Sequence, residues 1–218
     1  LHSSSAVNVA EYSPLVADAV TEYLKRYVDL VVKLGASWTE MHAGYHFTKD
    51  IKLRMEAGKA RLAKIVAYAE KKGALILLEN LNKEPKDAEV HYLAHTIAEW
   101  QYYWDIKSPN FKLSFTANHA HLVPEGIEGF VKALNFKRVH EVRLADCWRN
   151  GFEEHLVPGK GNLNFGKMFK LIEGAGFKGH YTNAFGTLDD MLAARDFFVK
   201  KAKDHGCCHA RARRRALD

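Results

Sequence analysis

The chain has little that would tie it to a membrane or to an oxidising compartment. Its apolar runs, such as Ala74 to Leu78, are too short to cross a bilayer. Three cysteines, Cys147, Cys207 and Cys208, are too few and too badly placed for a disulfide framework, so a reducing, cytoplasmic setting is expected. Residues Leu1 to Ala10 lack the basic start and apolar stretch of a secretory leader, and the first residue is not Met, so the start reads as processed or truncated. What is present is globular: 218 residues, 47% hydrophobic and 27% charged, enough to bury a core.

Of the net charge of +6, four charges come from Arg211, Arg213, Arg214 and Arg215 near the end. Such a tail could touch nucleic acid, but a solvated terminus explains it more simply. Residues 205–218 are therefore expected to form a disordered basic tail behind a domain spanning residues 1–204. Neither nucleic acid nor a membrane is the expected partner.

Five short apolar runs end in polar residues, and each is followed by a loop and a helical stretch. They are Ser37 to His42, Ala74 to Asn80, Lys112 to Asn118, His140 to Asp146 and Gly179 to Phe185, with ends 38, 38, 28 and 39 residues apart. That is the spacing of strand-plus-helix units. Helical periodicity covers Leu15 to Leu34, Lys52 to Lys72, Asp87 to about Trp104, Gly126 to Leu134, Phe165 to Glu173 and Leu188 to Lys203. Alternating units predict an α/β fold, either an open doubly wound sheet or a (β/α)8 barrel. No Gly-rich dinucleotide fingerprint follows any strand, which favours the barrel. A full barrel takes about 250 residues. With five clear strands and Leu1 to Ser5 as the end of a sixth, the first one or two βα units are expected to be missing.

In both folds the ligand site lies beyond the carboxyl ends of the strands. Those ends carry His42, Glu79, Asn80, Asn118, His119, Arg143, Asp146 and Asn183. Glu79 directly follows apolar residues, and an unpaired carboxylate is costly to bury. It reads as a metal ligand, a general base or the partner of Arg143 in a salt bridge. His119 stands nearer its strand end than His121, which suits a surface or capping role. Glu153 and His155, two apart in a loop with Gly159 and Gly161, could both face inward, although any polar loop needs such residues. The aromatics Trp100, Tyr102, Tyr103 and Trp104 suit packing or an oligomer contact, which leaves a homo-oligomer open. His91 and His95, one helical turn apart, lack the partners of a metal site.

These residues resemble the xylose isomerase-like barrel superfamily, which contains sugar phosphate isomerases and epimerases and the endonuclease IV type of apurinic endonuclease. The matching pieces are Glu40-Met-His42-Ala-Gly44, Leu77-Leu-Glu79-Asn80, Asn118-His119-Ala120, Val142-Arg-Leu-Ala-Asp146 and His155-Leu-Val-Pro-Gly159-Lys-Gly161, in family order. The resemblance places Leu1-His2 at the end of the third barrel strand. It also implies a divalent ion (Mn, Mg or Zn) held by Glu, Asp, His and Glu. Here Glu79 matches the first, but Thr116, Arg143 and Asn183 stand at the other three positions. Arg cannot bind a cation. The cofactor is left open between no metal, with Arg143 supplying the charge, and a displaced metal on Glu79, His119, Glu153 and His155. His2, His42, Glu153 and His155 match further ligand positions of the endonuclease branch.

The expectation is an isomerase or epimerase acting on a small sugar or polyhydroxylated carbonyl compound by proton abstraction beside the carbonyl. Glu79 and His119 would move protons and Arg143 would be the electrophile. His42, Asn80, Asn118, Glu153, His155 and Asn183 would bind hydroxyls. The alternatives are a lyase or dehydratase through the same enolate, an apurinic endonuclease and a non-catalytic sugar binder.

Overall fold

The computed structural model describes residues 1–183 and 185–207; most of the expected basic tail lies outside the described residues. Five parallel strands form one sheet in the order β1 (Trp38–Met41), β3 (Leu75–Glu79), β5 (Phe111–Thr116), β6 (Val139–Leu144) and β7 (His180–Asn183). They match the five apolar runs, with β5 and β6 each starting one residue earlier than the run. Beyond β1 lies the stub of a further strand: His2 bridges Glu40 in parallel, and the Glu40 backbone bonds Leu1 and Ser3 at 2.8 and 2.9 Å.

The helices are α1 (Pro14–Lys33), α2 (Ile51–Lys72), α3 (Ile97–Trp104), α4 (Ala117–Leu122), α5 (Gly126–Ala133), α6 (Phe165–Gly174) and α7 (Leu188–Asp204). Their starts and stops have local causes. Pro14 opens α1, where its missing N–H is not needed, and α1 buries Val20, Leu24, Val28 and Val31 along one stripe. Gly73 ends α2 at φ 72°, a left-handed conformation glycine takes without penalty. Thr187 and Asp190 form a reciprocal capping box on α7. Among the described residues no helix is long and apolar enough to cross a membrane.

The expected helix from Asp87 is corrected to Ile97–Trp104. Upstream, β4 (His91–Tyr92) pairs antiparallel with β2 (Tyr45–His46) in a two-stranded ribbon outside the main sheet. His91 and His95 are therefore not stacked on one helix. The run expected to stay extended to Asn118 also turns early: β5 stops at Thr116 and α4 carries Asn118, His119 and His121.

Strand alternation sorts the side chains into two populations. Met41, Ile76, Leu78, Leu113, Phe115, Val142 and Leu144 join the buried core with residues of the helices, including Trp100 and Phe130. The alternate residues face an inner lumen. The sheet is curled, and two contacts show it. Arg143 on β6 reaches Glu40 on β1 at 2.6 Å. The Trp38 ring lies 5.0 Å from that of His140 and 4.8 Å from that of His180. In a flat sheet with strands about 4.8 Å apart, β1 and β6 would stand roughly 14 Å apart. The architecture is that of a (β/α) barrel represented by its later strands.

Candidate functional site

The carboxyl ends of the strands bring one connected group of charged side chains together. Glu79, at the end of β3, is 3% exposed. Its Oε2 meets Nε2 of both His2 and His42 at 3.2 Å. Its Oε1 accepts a short hydrogen bond from Thr116 Oγ1 and stands 3.7 Å from His119 Nδ1 and 3.9 Å from Arg143 Nε. Burial alone would raise the Glu79 carboxyl. Hydrogen bonds from His2 and His42, with the charge of Arg143 and His119, hold it well below the ordinary carboxylate range.

Arg143 has a second and closer carboxylate, Glu40, which sequence reasoning missed. A signal was available: Glu40 precedes His42 by two, so on a strand both share a face. Of two carboxylates sharing one guanidinium, Glu79 keeps the charge because histidines also support it. Glu40 holds a proton more readily: burial, then the Glu79 charge, pushes it up to about 8.

His119 links to the loop after β6. Its Nδ1 donates to the Asn80 carbonyl at 2.9 Å, which turns Nε2 toward Glu153 Oε1 at 3.4 Å. His155 Nε2 makes a short contact with the same oxygen. These two histidines pull Glu153 below the usual carboxylate range, against burial. Tyr92 of the ribbon, also not expected from the sequence, sets its ring 6.4 Å from that of His42. Burial, then the charges of Glu84 and Glu153, raises its phenol.

Six of the nine expected site residues, His42, Glu79, His119, Arg143, Glu153 and His155, thus belong to this group. The three asparagines are engaged elsewhere. Asn80 exchanges two hydrogen bonds with the Thr116 backbone, at 2.7 and 3.1 Å. Asn118 donates to the Glu154 carbonyl at 3.1 Å and Asn183 to the Met191 carbonyl at 2.7 Å. These bonds tie the asparagine amides to β5, the loop and α7, while Asn118 Oδ1 is left without a hydrogen-bond partner. Asp146 is likewise committed: its two oxygens accept backbone N–H bonds from Cys147, Gly159, Gly161 and Leu163. His121 turns to Asn162.

The usual four-ligand metal set does not fit here. Thr116 is a weak donor, Arg143 brings a positive charge, and Asn183 is turned to α7. Two flanking triads do have suitable donors: His2, His42 and Glu79, and His119, Glu153 and His155, each with ligand atoms within 4.8 Å of one another. Two imidazoles and a carboxylate form a zinc-type donor set. The displaced set of Glu79, His119, Glu153 and His155 therefore divides, with Glu79 in one triad and the other three in the second.

Over residues 1–196 the sequence matches the family described as xylose isomerase-like TIM barrel. The chain belongs to that family. No curated protein sequence matches it. Solved structures extend the likeness in fold. A D-tagatose 3-epimerase-like protein superposes with a TM-score of 0.83 at 22% identity, over 94% of this chain and 77% of its own. An L-ribulose 3-epimerase gives 0.73 at 17% identity, over 93% and 73%. A D-psicose 3-epimerase with D-tagatose, from Clostridium cellulolyticum H10, also gives 0.73 at 17%, over 94% and 76%. At these identities the family member and its neighbours share a fold.

Proposed function

We propose that this chain is a sugar isomerase or epimerase that removes a proton from the carbon beside a carbonyl. The observation that carries this reading is the convergence of Glu79, His119, Arg143, His42, Glu153 and His155 at the catalytic end of the strands, in a family whose structural neighbours are sugar 3-epimerases.

The geometry divides the roles. Glu79, held ionised by its partners, supplies fixed negative charge and anchors His2 and His42. His119 is oriented by the Asn80 carbonyl, which leaves Nε2 to take and return the proton, with Glu153 beside it. Arg143 supplies positive charge for an oxygen that gains negative charge as the proton leaves. His42, His155 and Glu153 meet hydroxyls. A divalent ion held by either triad would polarise a substrate oxygen.

The test is solvent-proton exchange. Ketoses and aldoses are incubated with the protein in D2O and followed by NMR. The expected result is deuterium uptake beside the carbonyl of at least one sugar, reduced by orders of magnitude in His119→Gln and Glu79→Gln. Sugar binding without exchange would instead mark a non-catalytic binder, and loss of water from the substrate would mark a lyase. Nicking of abasic DNA would mark the endonuclease.

A further inference from the structure

The lumen contains an arrangement that barrel packing alone does not require. Arg143 sits between two buried carboxylates from two different strands, Glu40 on β1 at 2.6 Å and Glu79 on β3 at 3.9 Å. Glu40 is 3% exposed, and its Oε1 has no hydrogen-bond partner. Arg143 Nε is likewise buried without a partner, although it faces Glu79 Oε1. Thr116 Oγ1 already donates to that same Glu79 oxygen. In a purely structural ion pair the guanidinium would pair both edges with carboxylate oxygens. Here one edge is tied to Glu40 while Nε is turned to Glu79 at a separation too long for a hydrogen bond.

We propose that Glu40 clamps the Arg143 guanidinium in the place where the four-ligand members of this family hold a divalent ion, making it a built-in cation that excludes a metal from the space beside the hydrogen-bonded pair of Glu79 and Thr116. A divalent ion entering that space would meet a fixed positive charge within a few ångströms, at a buried place where such repulsion is less screened than in water. A guanidinium stays protonated across the physiological range, so this cation does not depend on metal supply. Glu40 acts as the positioning residue, because it fixes where the cation sits.

The inference leans on the proposed function only for why a cation is useful there. Its test needs no substrate, so failure to find an active sugar leaves it standing, and failure here leaves the sugar reading intact. Crystals of the full chain grown in excess Mn2+ are measured for anomalous scattering. The expected map shows guanidinium density beside Glu79 and no ion bound to Glu79 Oε1 and Thr116 Oγ1 at the place Arg143 holds. An ion there, with Arg143 displaced, overturns the proposal. In solution, Thr116→Asp combined with Arg143→His is compared with the wild type by elemental analysis after Mn2+ dialysis, with circular dichroism to confirm folding. The folded variant is expected to retain one more ion per chain, and to lose that ion when Glu79→Gln is added. A folded variant that gains no ion also overturns the proposal. Should the variant fail to fold, the wild-type map decides.

Discussion

Asp146 holds Gly161 in place: its Oδ2 accepts the Gly161 N–H at 3.0 Å, and a Cβ at Gly161 would lie 2.4 Å from Asp146 Oδ1 and from the Cys147 carbonyl oxygen. The carboxylate and the bare glycine together fold the loop after β6 back onto its strand, where Asp146 and Leu156 exchange backbone hydrogen bonds of 2.8 and 2.9 Å. Glu153 and His155 are positioned by that fold. Asp146→Asn replaces an acceptor oxygen with an amide that faces N–H donors. We expect a loss of about 1–3 kcal/mol in urea unfolding and faster proteolysis within residues 147–163. Gly161→Ala should give the same loop phenotype through steric contact.

Phe115 lies where the sheet meets the helices, fully buried, with its ring 5.1 Å from Phe136 and 5.7 Å from Phe130. Phe115→Ala leaves a cavity that backbone cannot fill. Thermal or chemical unfolding should show a loss of about 3–5 kcal/mol, with the cluster residues still in place by crystallography.

The pair His95–Glu99 at 3.2 Å lies outside the strand-end group and should set a pH dependence of stability. Burial would lower His95, but its hydrogen bond and attraction to Glu99 raise it above 6.5. The same partner draws Glu99 below 4.5, against burial. A raised histidine contributes stability that is fully present below its unfolded value and is lost as pH rises through its folded value. A lowered carboxylate contributes stability that is lost as pH falls through its folded value. The pair therefore stabilises most between these limits. Glu99→Gln should lower stability near pH 5–6, between the ordinary pKa values of Glu and His, and converge on the wild type at high pH. Unfolding midpoints across pH check this.

Tyr92 reaches the site from the ribbon rather than from the barrel. Its ring offers a wall beside His42. Tyr92→Ala is expected to raise KM several-fold while leaving kcat within about twofold, the signature of lost uniform binding. Tyr92→Phe should stay close to wild type. Steady-state kinetics on the sugar found by deuterium exchange measure both.

Much of the barrel was legible because its units are local. The strands carry apolar runs, and the helices carry one buried stripe bounded by Pro14, Gly73 or the Thr187 cap. Long-range pairing was not. His91 and Tyr92 extend because they meet Tyr45 and His46, about 46 residues away in the chain, and no local periodicity reports such a partner. At the site, charged strand-end residues were legible by type and place, since buried charge needs a partner. The backbone bonds of the asparagines were not legible, because a carboxamide serves backbone and substrate equally well, and only coordinates show that Asn80 is bound to Thr116. Glu40 was overlooked because its partner comes from a strand that is distant in sequence.

That distance bears on how the molecule is assembled. Glu40 and Arg143 lie 103 positions apart. A partially assembled sheet ending at β5 would hold Glu79 with His2 and His42 beside it, but Glu40 without the guanidinium that pairs with it. Docking of β6 therefore supplies the partner of a buried carboxylate, and without β6 Glu40 would face the lumen as an uncompensated acid.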